Sequence, residues 1–177
     1  FNISTNQIEK NITKKTKGIV VVHYGGQSCN MTEILRIAKK KNLFVIEDCA
    51  HALGTTFKGK KCGSFGNTGC FSFYPTKVIT TGEGGMISTS NKLISRKIST
   101  LKSQGMDISA KEREKIHSWK YDIVDLGYNY RLDEIRSALG YSQLKRINEI
   151  NKRRIRIAQT YNKLLRNIRG ISIPVVE

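Results

Sequence analysis

Two short apolar runs rich in β-branched residues lie near the start of the chain, and a stretch with helical periodicity separates them. The runs are GIVVVH (residues 18–23) and LFVIED (43–48), and continuous apolar segments of this kind are typical of strands covered on both faces. Between them, Asn30 and Glu33 resemble a capping box for a helix over MTEILRIAKKK. A strand, a helix and a strand joined by short links predict a βαβ unit and therefore a parallel sheet.

Shorter patterns predict further strands downstream. A small hairpin around Gly59 is predicted for TTFKGKKCG (residues 55–63). Two more strands are predicted over GCFSFY (69–74) and GGMISTS (84–90). Pro75 follows the first of these strands and is expected to end it, because proline has no N–H for the ladder.

Helical periods dominate the second half of the chain. Ser90 is the predicted N-cap of a helix that ends at Gly105, and the polar residues 106–120 predict an exposed insertion. A mostly apolar stripe then recurs at intervals of three and four residues from Leu139 to Ile168, which predicts one helix of about 25 residues. A helix of that length suits a connection between two domains.

These patterns divide the chain into three parts. We expect a large α/β domain over residues 1–143, a connecting helix over 144–169 and the first strand of a smaller C-terminal domain over 170–177. The predicted class is α/β, with a mostly parallel sheet and flanking helices.

Composition and charge narrow the classes of partner. The chain of 177 residues carries a formal charge of +17, but its basic residues are spread widely, and the densest run, 145–169, falls on the predicted long helix. No nucleic-acid-binding motif accompanies these residues, so we expect no specific nucleic-acid partner. No apolar run approaches the roughly 20 residues that span a bilayer, so we expect no membrane insertion.

The four cysteines indicate a cellular compartment rather than a site. They form no C-x-x-C pair, and their spacing to the three histidines matches no metal-ligand pattern, so we expect no metal. Free thiols of this kind are typical of proteins in a reducing cytoplasm.

Candidate chemistry lies where the predicted strands end. Glu47 and Asp48 close one strand, and Lys77 stands just after another, beside the glycine-rich TTGEGG. Ligands of an open parallel sheet bind beyond the carboxyl ends of its strands, so we expect these side chains to share a site. Alone, each residue has an ordinary interpretation as a cap or a surface charge. Together, an amine and a carboxylate suit a Schiff base with a carbonyl cofactor such as pyridoxal 5'-phosphate (PLP).

A long motif over residues 46–89 resembles the core signature of the DegT/DnrJ/StrS family of sugar aminotransferases: IEDCAHALGTTFKGKKCGSFGNTGCFSFYPTKVITTGEGGMIST. The likeness extends upstream through TKGIVVVHYGGQSCNMTEI and downstream through DLGYNYRLDEIRSALGYSQLKRINEINKRR. It covers nearly the whole chain except residues 106–120. The resemblance implies the aspartate-aminotransferase-like large domain of PLP-dependent transferases of fold type I.

Carried over residue by residue, the resemblance implies a set of cofactor contacts. Lys77 is implied to form the Schiff base and to move the proton during catalysis, and Asp48 to pair with the pyridinium nitrogen. His51 is implied to lie beside the ring oxygen, and Ala50 to lie flat against the ring. Ser72 is implied to bind the cofactor phosphate.

Asn129, within GYNYR, is implied to reach the phosphate in a neighbouring subunit's site, which predicts a homodimer with shared active sites. Two parts that the family carries have no counterpart in the chain: a Gly/Thr/Ser-rich helix start that grips the phosphate, and most of the smaller C-terminal domain. We therefore expect the chain to be a fragment that is inactive alone, within a longer active protein.

The resemblance implies a ping-pong reaction. Glutamate donates an amino group, and the keto group of a sugar carried on a nucleotide diphosphate accepts it, in amino-sugar or polysaccharide biosynthesis. One alternative is a sugar dehydratase of the same fold, but such members carry histidine in place of Lys77. A second alternative is an inactive or regulatory relative, which the joint presence of Asp48, His51 and Lys77 disfavours.

Overall fold

The computed structural model describes residues 1–108 and 110–175. The strands are β1 (Gly18–Val22), β2 (Phe44–Asp48), β3 (Thr56–Phe57), β4 (Lys60–Lys61), β5 (Thr68–Ser72) and β6 (Gly85–Ser88). The helices are α1 (Thr5–Asn11), α2 (Met31–Lys41), α3 (Lys92–Lys102), α4 (Ala110–Lys115), α5 (Glu134–Leu144) and α6 (Ile147–Leu165), and a 3-10 turn spans Tyr24–Gly26. None of the helices in the described ranges has the length and hydropathy of a membrane span.

A four-stranded sheet in the order β1-β2-β5-β6 forms the centre of the fold. Strands β1, β2 and β5 run parallel, and β6 pairs antiparallel with β5. Helix α2 connects β1 to β2, which confirms the predicted βαβ unit and the mostly parallel sheet. Asn30 caps α2 as predicted, because its side-chain oxygen accepts a hydrogen bond from the Glu33 N–H (3.3 Å). The β3–β4 hairpin turns at Gly59 (φ +80°), also as predicted.

The two faces of the sheet differ in burial. Ile19, Val21 and Val45 are buried in a core that α1 and α2 complete. The residues between them point to the opposite face, where Val20 is 59% exposed and Phe44 is 62% exposed. The prediction of strands covered on both faces is therefore wrong for the part of the chain that the structure describes. Apolar runs report how suitable a face is for burial, and not which segment covers it.

A buried carboxylate joins the sheet to the loop that precedes β5. Glu47 has no exposed surface, and its Oε1 accepts hydrogen bonds from the N–H groups of Phe65 and Gly66, both at 2.7 Å. Its Oε2 accepts from the Gly63 N–H (2.7 Å) and from Nε2 of His23 (3.1 Å). Four donors therefore satisfy both oxygens, as a carboxylate this deep in the protein requires.

The hydrogen bonds of His23 fix its tautomer. Its Nδ1 accepts a hydrogen bond from the Cys29 N–H (3.1 Å), so the ring proton lies on Nε2, which donates to Glu47. Burial raises the pKa of Glu47, but the hydrogen bonds from His23 and from three backbone N–H groups outweigh this effect. The pKa of Glu47 consequently lies below its ordinary value of 4.5.

One predicted helix boundary needs correction. Helix α3 is capped by Asn91 rather than Ser90, since the Asn91 side chain accepts from the N–H groups of Leu93 and Ile94. Ser and Asn are both good N-caps, so two adjacent residues of these types do not determine from the sequence which of them begins the helix. The predicted exposed insertion contains α4, and Trp119 beyond that helix is 80% exposed.

The long helix predicted over residues 144–169 forms as α6 over Ile147–Leu165, but the apolar stripe that begins at Leu139 is divided between two helices. Helix α5 ends at Leu144 and α6 begins at Ile147, and Arg146 between them leaves helical geometry (φ −103°, ψ 10°). No glycine or proline marks this break in the sequence, and the apolar stripe continues across it. The predicted strand after Gly170 does not form over residues 171–175, and residues 176–177 lie outside the described ranges. The division into domains stays a prediction.

The Glu47 hydrogen bonds predict a pH-dependent loss of stability. Replacing the carboxylate by an amide in Glu47→Gln places an N–H₂ among N–H donors, and we expect the free energy of unfolding to fall by about 3 kcal/mol at pH 7. Because the folded-state pKa of Glu47 is lowered, its stabilisation is present above about pH 4.5 and is lost as the pH falls through the folded-state pKa.

Urea unfolding of both proteins across this pH range measures the effect. The difference between wild type and Glu47→Gln should be largest near neutral pH and shrink in acid. Glu83→Gln is a matched control, because the Glu83 side chain is exposed. A difference that is independent of pH, or equally large for the control, contradicts the prediction.

Candidate functional site

A cleft of about 920 Å³ opens at the carboxyl ends of the parallel strands. Ala50, His51 and Lys77, three of the predicted site residues, line it together. Helix α6 forms the opposite wall, where Arg154 and Tyr161 face the cleft. No aspartate or glutamate of the described residues lines this space, so its ionisable groups are predominantly basic.

Asp48 and Ser72 end neighbouring parallel strands on the same face of the sheet. Asp48 is aligned with Cys70 of β5, and Ser72 lies two residues farther along that strand, so their side chains share a face. One oxygen of Asp48 accepts a hydrogen bond from the Ala50 N–H (2.9 Å). The described residues supply no donor to the other oxygen, which leaves an acceptor available at the end of β2, two residues before the cleft residue Ala50.

The loop that carries Lys77 is closed at its base by backbone hydrogen bonds. Phe73 N–H donates to the Gly84 carbonyl (2.8 Å), and Thr81 N–H donates to the Phe73 carbonyl (2.9 Å). Lys77 itself donates its N–H to the Tyr74 carbonyl (3.0 Å), in the turn that Pro75 begins. The loop therefore holds a fixed backbone from which the half-buried Lys77 side chain enters the cleft.

His51 is positioned by the turn that follows β1. The Gly25 N–H donates to Nδ1 of His51 (3.4 Å), and the Tyr24 ring packs edge-on against the imidazole at 5.7 Å between centroids. Gly26 has a φ of +88°, and a Cβ there would lie 3.2 Å from the His51 carbonyl oxygen. A close approach of this kind explains a glycine at position 26.

Asn129 lies away from the cleft. It is exposed and forms an isolated antiparallel bridge with Ser103, beside the end of α3. The neighbouring N–H groups of Tyr128 and Tyr130 donate to the carbonyls of Leu101 and Lys102, which anchors the segment (2.7 and 2.9 Å). The structure thus brings together Ala50, His51 and Lys77 at one cleft, whose lining includes none of the other predicted site residues, Asp48, Ser72 and Asn129. Its predicted action in a partner's site stays a prediction.

Sequence reasoning missed the residues of the second wall. Arg154 is a polar position within the mostly apolar stripe of the predicted helix, and that irregularity was an available signal. Asn151 lies outside the stripe, so the sequence pattern gave no signal for it. The Nδ2 of Asn151 donates to the carbonyl of Leu53 (3.1 Å), which attaches α6 to the loop after His51.

One cluster outside the cleft has metal-ligand residue types. His23, Glu47 and Cys49 are buried with their ligand atoms within 4.8 Å of one another. However, both His23 nitrogens and both Glu47 oxygens already take part in hydrogen bonds. Only the Cys49 thiol is left to bind an ion, and burial raises its pKa, which disfavours the thiolate that metals require. The cluster is a structural hydrogen-bond network.

A lysine and a carboxylate beyond the ends of parallel strands are typical of α/β enzymes that hold a carbonyl cofactor on lysine. The chain belongs to the DegT/DnrJ/EryC1/StrS aminotransferase family, whose sequence model matches residues 1–177. This confirms the family resemblance and the fold class.

Individual relatives support the same assignment. The GDP-perosamine synthase of Escherichia coli O157:H7 is 42% identical over 168 residues, which are 95% of this chain and 44% of the relative. The structure of Helicobacter pylori PseC, an aminotransferase involved in the biosynthesis of pseudoaminic acid, matches with a TM-score of 0.87 and 34% identity, over 95% of this chain and 43% of that one.

A dehydratase also shares the fold. The structure of GDP-4-keto-6-deoxymannose-3-dehydratase (ColD) with bound GDP-perosamine matches with a TM-score of 0.82 and 28% identity, over 94% of this chain and 45% of that one. The chain spans less than half the length of the curated relatives it matches, at 46%, 46% and 44% of the first three.

The saturated His23–Glu47 network predicts that metal chelation has no effect on stability. Treatment of the complete protein with 1,10-phenanthroline should leave its thermal unfolding midpoint unchanged, because no ion contributes to the buried cluster. Added Zn²⁺ should not raise the midpoint either, since only a ligand that binds the folded state stabilises it. Stoichiometric zinc in the purified protein, or a midpoint that chelator lowers, contradicts this interpretation.

Proposed function

We propose that the protein transfers an amino group from an amino acid, with glutamate as the expected donor, to the keto group of a sugar linked to a nucleotide diphosphate. The donor leaves as a 2-oxo acid and the acceptor as an amino sugar, so the exchange needs no external oxidant or reductant. The observation that carries the proposal is the position of Lys77 in one cleft with Ala50 and His51, which follow Asp48 by two and three residues.

The donor set fits PLP. The cofactor needs an amine for its aldehyde, a carboxylate for its ring nitrogen and donors for its phosphate, and the cleft of about 920 Å³ accommodates it. Lys77 offers the amine, Asp48 an oxygen with no donor among the described residues, and Ser72 a hydroxyl. Ala50 presents only a methyl group to the cleft, so a flat ring can approach the backbone there.

We assign roles to these side chains on that basis. When bound, PLP supplies an electron sink that stabilises negative charge on the carbon bearing the amino group. Asp48 would keep a proton on the ring nitrogen by accepting its hydrogen bond. Lys77 would hold the cofactor through its aldehyde, and its Nζ, when free, would act as the base that removes the proton from the substrate carbon.

The basic lining of the cleft supports an anionic substrate. Lys77 and Arg154 both face the space, and no described carboxylate lines it to offset them. A nucleotide diphosphate carries the complementary charge. GDP- and UDP-linked sugars appear in the names of the relatives, which favours this substrate class over a free amino acid or a nucleic acid.

The dehydratase is the second candidate, because ColD shares the fold. Lys77 disfavours it, since a Schiff-base lysine is what amino transfer needs and the dehydratases of this family are expected to carry histidine there. We also propose a cytoplasmic location, which suits a nucleotide-sugar substrate and the four free cysteines of the chain.

We further propose a homodimer in which Asn129 completes the partner's site. The exposed position of Asn129 and the anchoring of its segment to the end of α3 support this role, because the side chain projects from a fixed backbone outside its own cleft. The exposed Leu126, Tyr128 and Tyr130 beside it would be covered in such an interface.

The role of Lys77 predicts a covalent adduct with PLP. On addition of PLP, the complete protein should develop an absorbance band that neither the protein nor free PLP shows alone. Borohydride should then fix the mass of the cofactor on the peptide that contains Lys77. Lys77→Ala should lose both signals. Lys39→Ala, which removes an exposed lysine of α2, is the matched control and should keep both. Trapping on other lysines, unchanged in Lys77→Ala, contradicts the proposal.

Shared active sites predict complementation between two inactive variants. In a hybrid dimer of Lys77→Ala with Asn129→Ala, one site carries both lesions and the other carries neither. Random reassembly should therefore restore about a quarter of the wild-type activity, since half of the dimers are hybrids with one intact site each. Aminated nucleotide sugar, measured by mass spectrometry, reports the activity. No recovery on mixing means that Asn129 acts within its own subunit or not at all.

A further inference from the structure

The side-chain amide of Gln143 binds both backbone polar groups of a single distant residue. Its Oε1 accepts a hydrogen bond from the Thr80 N–H (3.1 Å), and its Nε2 donates to the Thr80 carbonyl (2.6 Å). The two residues are 63 positions apart in the sequence. A carboxamide is the side chain that offers one donor and one acceptor in this geometry, so it pairs with the backbone as a neighbouring strand would.

A second amide makes a similar contact on the other side of the helix break. Asn151 of α6 donates through Nδ2 to the Leu53 carbonyl (3.1 Å). Gly54, the next residue, has a φ of +90°, and a Cβ there would lie 2.5 Å from the same Nδ2. Since a side chain at position 54 has no room, the loop and the amide are packed directly against each other.

Each contact holds a loop that carries a residue of the cleft. Thr80 follows Lys77 by three residues, and Leu53 follows His51 by two. Neither loop belongs to the sheet at these points, and Thr80 and Leu53 are both half-buried, so their backbone groups need protein partners. Helices α5 and α6 thus supply side-chain hydrogen-bond partners for backbone groups that no strand of the sheet pairs with.

We propose that Gln143 and Asn151 are positioning residues, which fix the Lys77 and His51 loops to the α5–α6 helix pair and so set the distance between the two sides of the cleft. Neither amide touches the reacting atoms. The interruption at Lys145–Arg146 allows each helix to meet its own loop, so a shift of one helix alters one side of the cleft. This inference rests on the proposed function, because the geometry that it explains is that of the PLP lysine.

Variants of Gln143 test the inference in the complete protein. Gln143→Leu removes both hydrogen bonds, whereas Gln143→Glu keeps the acceptor for the Thr80 N–H and removes the donor. The matched control is Gln159→Leu, on an exposed position of α6 that has no hydrogen bond to either loop among the described residues. Thermal unfolding verifies that each variant folds, and Gln143→Glu keeps the test available if Gln143→Leu does not.

Amide hydrogen exchange of the cofactor-free protein is the first readout. We expect exchange at residues 78–82 to become about tenfold faster in Gln143→Leu, because losing a hydrogen bond of ordinary strength changes an opening equilibrium by about that factor. The Thr80 N–H should keep part of its protection from exchange in Gln143→Glu and all of it in Gln159→Leu. The second readout is the PLP concentration at which borohydride traps half of the Lys77 side chains, expected to rise about tenfold in Gln143→Leu, because a loosened loop presents the amine to the cleft for a smaller fraction of the time.

The outcomes separate the inference from the proposed function. If wild type traps PLP on Lys77 while Gln143→Leu exchanges and titrates like the control, the positioning role is wrong and the proposed function stands. Faster exchange with an unchanged half-trapping PLP concentration shows a purely structural contact, which also overturns the role. If wild type itself traps no PLP, the proposed function fails, and the positioning role fails with it.

Discussion

The Glu47 carboxylate is the constraint on which the geometry of this fold depends. It accepts four hydrogen bonds, three from backbone N–H groups of the 63–66 loop and one from the His23 ring. These bonds hold the loop and His23 against the middle of the sheet. Since adjacent residues of a strand point to opposite faces, fixing Glu47 inward also fixes Asp48 outward. A structural carboxylate and a candidate functional one are therefore consecutive in the chain, and the burial of the first determines the direction of the second.

The parts of the fold that could be predicted are those set by local patterns. The βαβ unit, the Asn30 cap and the Gly59 turn follow from rules that act over a few residues, and all are present. The positions of Asp48 at the end of β2 and of Lys77 in the loop after β5 follow from the same kind of pattern, because parallel strands direct their carboxyl ends to one edge. Their placement follows from the topology of the sheet, whereas their roles are proposed from the family.

The parts that could not be predicted depend on contacts between distant residues. No local pattern distinguishes Glu47 from a second site carboxylate, and only the folded loop reveals its four donors. The break between α5 and α6 likewise has no breaker residue, and it lies between the contacts of Gln143 and Asn151, which are made with residues 63 and 98 positions away. Tertiary contacts outweigh helical periodicity here, as they commonly outweigh local propensity.

The uncovered face of the sheet has a consequence for handling the polypeptide. The solvent-exposed side chains of Val20, Phe44 and Ile46 form a hydrophobic surface on the neighbouring strands β1 and β2. Strand β1 is also the edge strand of the described sheet. Surfaces of this kind drive self-association, and an exposed strand edge gives aggregates a template for hydrogen bonding. The high positive charge opposes this through mutual repulsion, which salt screens. Colloidal stability of these 177 residues would then decline as ionic strength rises.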